Sequence, residues 1–107
     1  MYKLVVFLEK KADMTHDEFL DHWHGPHVEM AKDMPNLKKY VTSVPVDPEE
    51  SMYDGIAELY FESLDDADEA GESDVQEEAI EDSKTFLEQV PADRMFVEPI
   101  VQLDETG

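Results

Sequence analysis

The chain predicts an α+β fold of β-α-β-β-α-β order, and three observations carry that prediction. Four segments rich in β-branched and aromatic residues (2–9, 37–46, 55–62 and 94–103) alternate with two longer amphipathic stretches, 15–34 and 63–90. Capping pairs punctuate those stretches: Thr15 with Glu18, and Ser73 with Gln76. Finally, right-handed crossovers fold this order into a single four-stranded antiparallel sheet, strand order 4-1-3-2, with both helices on one face. That is a ferredoxin-like arrangement. At 107 residues the chain is expected to be one domain over 1–107, with 104–107 as a tail.

Each element has its own reason. Residues 2–9 (YKLVVFLE) are apolar on both faces of an extended chain, as a central strand covered on two sides would be. In the stretch after Thr15, Phe19, Trp23, Met30 and Met34 fall in one narrow arc at helical spacing, with Leu20 and Ala31 at its edge. Gly25-Pro26 interrupts this helix. A kink is expected there, or a second helical piece with Pro26 as its first residue. Pro35-Asn36 ends it. In 55–62, Ala57, Leu59 and Phe61 share a face. Gly71 divides the second amphipathic stretch, and its later part is predicted to run to Val90 and to bury Val75, Ala79, Phe86 and Leu87. Pro99 cannot donate to a ladder, which places the last strand at a sheet edge or at a bulge.

The helix-facing side of this sheet reads Leu4, Val6, Leu8, Ala57, Leu59 and Phe61, all apolar. The other side mixes Val5, Phe7, Ile56, Tyr60, Phe96 and Ile100 with Lys3, Glu58 and Glu98. A lone monomer would leave those rings in water. Two sheets packed face to face would cover them, so a homodimer is expected.

Charge sets the chain apart. It has 28 acidic against 8 basic residues, a net charge of −20, and Arg94 is its only arginine. The 41% apolar content and the retained periodicity exclude a disordered acidic segment. Adaptation to high salt, as in a halophilic organism, accounts for the charge. In molar salt the Debye length is about 3 Å and the self-repulsion is screened. A docking face for a basic partner is the rival reading. The same charge argues against nucleic acid or an anionic membrane as partner. There is no cysteine, hence no thiol or disulfide chemistry. No apolar run approaches 18 residues and no signal-type segment opens the chain, so the cytoplasm is the expected location.

All four histidines, His16, His22, His24 and His27, fall within the first amphipathic stretch. His16 and His22 are expected in solvent. His27 lies four residues after Trp23 and eight after Phe19, on the arc facing the sheet. Placed just after Pro26 at a helix start, it would be held neutral, a plausible form for a proton shuttle. A core histidine bonded to its surroundings is the alternative. His24 and His27 form a weak candidate metal pair, but zinc needs three or four converging ligands and no second cluster exists. No metal or other cofactor is expected. Trp23, Phe19, Tyr40, Phe61 and Phe86 could line a pocket between helix and sheet, or simply form the core. Tyr40 could donate to a ligand carbonyl, and Glu58 could orient an imidazole or pair across a dimer. Nucleotide-binding and serine-hydrolase motifs are absent.

The run T-H-D-E-F-L-D-H-W-H-G-P-H (15–27), followed by P-N-L-K-K-Y-V (35–41) and G-I-A-E-L-Y-F (55–61), resembles the EthD family. Its members carry a similar F-x-x-x-W-x-x-x-H segment, here Phe19, Trp23 and His27, and a PGL-x-x-Y entry to the second strand, here Leu37 and Tyr40. Asn36 stands where glycine is usual. The resemblance implies a ferredoxin-like homodimer of the dimeric α/β barrel type and raises the weight on His27. Relatives in this family include an accessory protein of ether degradation linked to an oxygenase, a lactone isomerase and polyketide-type cyclases, and the family is loosely labelled oxidoreductase. The expectation is a small-molecule enzyme or catabolic accessory protein acting on a hydrophobic carbonyl or lactone compound. His27 and Tyr40 would be catalytic, and Phe19, Trp23, Glu58, Phe61 and Phe86 would bind substrate. A cofactor-independent oxygenase and a non-catalytic metabolite-binding homodimer are the rivals.

Overall fold

Strands β1 (Tyr2–Leu8), β2 (Lys39–Ser43), β3 (Gly55–Phe61) and β4 (Asp93–Val97) form one antiparallel sheet in a computed structural model describing residues 1–107. Their order is β2-β3-β1-β4, the expected 4-1-3-2 read from the opposite edge. β4 pairs only with β1 and ends at Val97, two residues before Pro99. The sheet thus loses its ladder before the residue that cannot donate to it. β2 and β4 are both shorter than their apolar runs suggest. Ile100 lies beyond the sheet and is exposed.

Register fixes the faces. Opposite residues in an antiparallel pair share a face, and Leu4 stands opposite both Leu59 and Phe96. Phe96 therefore lies on the helix side at the sheet edge, not on the open side as the sequence suggests. The ladder with β1 sets this register, which alternation within 94–103 does not contain. Tyr40, opposite Leu59, is also on the helix side.

Helices α1 (His16–His22) and α2 (Val28–Ala31) are joined by a π-helical turn, Trp23–His27, with no break at Pro26. The Thr15–Glu18 capping box forms in both directions and starts the helix. Within an α-helix the Pro26 ring would clash with the carbonyl four residues back. The π turn widens the helix by one residue, and Val28 N–H bonds to Trp23 C=O, five back. That extra residue shifts the face presented afterwards. Ala31 is buried and Met30 is only half-buried, the reverse of the ranking that uniform helical spacing predicts. Asn36 then takes φ 66°, a left-handed conformation that glycine adopts most easily and asparagine next, and its amide donates to Asp66 C=O at 3.1 Å.

Helix α3 (Leu64–Gly71) is capped by Ser63, and α4 (Asp74–Ser83) by Ser73, whose hydroxyl accepts from Gln76 N–H. α4 stops at Ser83 instead of continuing to Val90. Ser83 and Thr85 hydroxyls bond the Ala79 and Asp82 carbonyls, and the chain turns back so that Lys11 N–H bonds Phe86 C=O and Glu88 N–H bonds Glu9 C=O. Phe86 and Leu87 are buried as expected, but from this turn and not from the helix.

Phe19, Trp23, Phe61 and Phe86 are the largest fully buried side chains. Gly55 admits Trp23: a Cβ at that position would overlap the indole ring. No helix is long and apolar enough to cross a membrane.

Candidate functional site

The π turn ends on His27 and directs its ring into the space between the first helix and α4. His27 borders a cavity of about 70 Å³ whose wall includes Trp23, Tyr40, Leu4, Val6 and Leu59. The Nδ1 atom lies 2.8 Å from Asp82 Oδ2. Both groups are well covered, with side chains 12% and 14% exposed. Phe86 packs edge-on to the imidazole, ring centres 5.0 Å apart. With Asp82 ionised, Nδ1 carries the proton and donates it, and Nε2 keeps a free lone pair. Such an arrangement can abstract and return a proton.

His27 is held below the ordinary histidine range. Burial is the main cause, the Asp82 carboxylate opposes it, and the nearby His22 adds a smaller push in the same direction as burial. The neutral form expected from sequence thus arises from a different cause. Position 27 is inside a continuous helix, so no helix start supplies a dipole there.

Asp82 serves a second imidazole. His22 Nε2 lies 3.0 Å from both of its oxygens, with its own ring 28% exposed and packed on Phe86. His22 is therefore only partly in solvent, contrary to expectation, because Asp82 and Phe86 draw it inward. Asp82 was hidden in the sequence as one of eleven acidic residues from Glu62 to Asp82. A signal was present: Val75, Ala79 and Asp82 are spaced i, i+4, i+7, so this carboxylate occupies the buried stripe of α4.

Tyr40 faces the cavity, and burial pushes its phenol up to about 12, with the Trp23 indole partly opposing. It is a permanent O–H donor at neutral pH. The Trp23 indole N–H is buried and directed toward the Tyr40 oxygen, but no acceptor meets it in hydrogen-bonding geometry. Two donors thus sit on one cavity wall, and one of them is unsatisfied, a costly state for a buried polar group.

The remaining expected site residues divide. Phe19, Phe61 and Phe86 are buried, but none lines the cavity. Phe19 and Phe86 pack behind Trp23 and His27, and Phe61 borders the groove next to the cavity. Glu58 does not reach the site. It stands opposite Val5 on the open face of the sheet, ion-paired to Lys3, because strand alternation sends it away from the helices. His24 is exposed and lies against Trp23, ring centres 4.6 Å apart, while His27 turns to Asp82; the two do not converge. His16 is 3.5 Å from Asp54. No three histidine or acidic side chains are grouped to hold a metal ion.

Comparison with known proteins matches this architecture. An EthD family protein from Bacillus halodurans superimposes with a TM-score of 0.80 at 22% identity, covering 94% of this chain and 99% of that one. HapK from Hahella chejuensis superimposes at 0.75 and 10% identity over 100% of both chains. A dimeric ferredoxin-like protein of unknown function from Thermobifida fusca superimposes at 0.68 and 14% identity, covering 90% and 86%. No curated protein matches the chain. The family profile described as EthD domain matches residues 11–89, which contain His22, Trp23, His27, Tyr40 and Asp82. The chain belongs to the EthD family.

Proposed function

We propose that the protein is a small-molecule enzyme that moves a proton next to the carbonyl of a hydrophobic compound, working as a homodimer. The observation that carries this reading is the buried His27–Asp82 pair, 2.8 Å apart, on the edge of an apolar cavity. Nε2 of His27 is the base. Tyr40 O–H and Trp23 N–H are the donors for the carbonyl oxygen, which gains negative charge as the neighbouring C–H is broken. Asp82 is a positioning residue that holds the ring and steadies its charged form. The partly exposed His22 on the same carboxylate links it to solvent.

The inner cavity is small for a whole ligand. It shares Leu4, Met34, Gln76 and Arg94 with an outer groove of about 370 Å³, and the two together reach the size usual for small-molecule sites. Dimerisation is supported by the open sheet face, where Val5, Phe7, Ile56 and Tyr60 are only half-covered.

The test is solvent deuterium exchange at carbons next to the carbonyl in a panel of apolar ketones and lactones, followed by mass spectrometry. The protein is expected to accelerate exchange in at least one. His27→Gln should lower that rate by about 10²-fold or more while binding persists. Binding without exchange across the panel would make the protein a metabolite binder and overturn the enzymatic reading.

A further inference from the structure

Arg94 is the only arginine in a chain with 28 carboxylates, yet no carboxylate pairs with it. Its one hydrogen bond runs from Nε to Ala92 C=O, 3.2 Å, which leaves the two Nη groups unengaged. The strand register places it opposite Val6, on the helix side of the sheet. There it borders both the His27 cavity and the outer groove, beside Gln76, whose side-chain amide is also without a partner. Lys3, Lys32 and Lys84, by contrast, each hold a carboxylate. Asp68 and Glu72 border the same groove, yet neither forms an ion pair with Arg94. A planar guanidinium with two free donors matches the two oxygens of a carboxylate.

We propose that the junction of cavity and groove binds a carboxylate at Arg94 and Gln76, so that the ligand of this site is an apolar acid. Its hydrocarbon part points inward, toward Trp23 and His27. The proposal rests on the cavity being the ligand site and adds the chemical class of the ligand. Arg94 stands exposed in the protomer, open to a ligand arriving from solvent, and the partial cover its guanidinium finds lowers its pKa. It stays charged at any working pH.

Trp23 is the only tryptophan and forms the cavity wall, so its fluorescence reports occupancy directly. Hexanoate and hexanamide, matched in size and differing in charge, are titrated in molar KCl, where the field of the acidic surface is screened. Hexanoate is expected to bind about tenfold or more tightly than hexanamide. Arg94→Gln should bring hexanoate down to the level of hexanamide and leave hexanamide unchanged. Arg94→Lys should keep part of the preference, which guards against a folding defect, with circular dichroism as the check on both variants. Equal binding of the two probes by the wild-type protein, or a preference that survives Arg94→Gln, would sink the carboxylate site while leaving the cavity intact. If neither probe perturbs Trp23, the cavity reading falls and this proposal with it.

Discussion

The two faces of the sheet come from the same four strands and differ in what covers them. On the helix side, Leu8, Ala57, Leu59 and Phe61 are buried against Phe19, Trp23 and Phe86. On the open side, Val5, Phe7, Ile56 and Tyr60 are half-covered and interleaved with Lys3, Lys39 and Glu58. Lys3 and Lys39 hold their ammonium groups 5.5 and 5.1 Å from the Tyr60 ring centre, and Phe7 packs on Tyr53 at 5.3 Å. One face carries the stability of the protomer, and the other is the half-covered surface that the proposed dimer would bury. The difference teaches that apolar alternation alone identifies a buried face, whereas a mixed face must be read together with what lies outside the chain.

Mutations can break this contrast, starting where the effect is greatest. Trp23→Ala empties the centre of the helix-side core and should cost about 3–5 kcal/mol, read by urea denaturation. Gly55→Ala, which pushes a methyl into the same indole, should cost about 1–3 kcal/mol. On the open face, Phe7→Glu should leave the protomer folded but weaken self-association by about 2 kcal/mol, visible as a shift to monomer in light scattering. A wild-type protein that is already monomeric at micromolar concentration would contradict the dimer.

Weaker effects sharpen the same comparison. If the acidic surface is an adaptation to high salt, raising KCl from dilute to molar should lift Tm by several degrees, equivalent to about 1 kcal/mol. A Tm that does not move would remove that reading. Glu58→Gln breaks only the ion pair with Lys3 on the open face and should cost less than about 1 kcal/mol in the isolated protomer. A larger loss that appears only at concentrations where dimers form would place the pair in the interface.

The fold was legible because its cues are local. The Thr15–Glu18 box, the Ser73–Gln76 cap and the alternation in 55–62 each act over a few residues. The misreadings came where distant or unusual geometry decides. The π turn around Pro26 moved Ala31 inward and Met30 outward, an effect that uniform spacing cannot contain. Phe96 changed face because pairing with Leu4 sets the register of β4. In the candidate site, His27, Trp23 and Tyr40 were legible from helical and strand spacing. Asp82 was not, because a lone inward-facing carboxylate resembles its ten acidic neighbours until the buried stripe of α4 is traced through it. Arg94 was visible as the only arginine, but its position on the cavity depends on the strand register.

The His27 pair also sets a pH dependence. Its folded-state pKa is lowered from the ordinary 6.5, so the unfolded chain takes up the proton first as pH falls. The stability that comes from burying the neutral ring is complete above pH 6.5. It is lost as pH drops through the folded-state value.

The most direct test of the account is nitrogen NMR of the histidine rings followed across pH. It should show His27 at pH 7 as a neutral ring with its proton on Nδ1, titrating below 6.5, and Asp82→Asn should move that titration lower still. A His27 ring that is charged at pH 7, or one whose titration ignores the loss of Asp82, would contradict it.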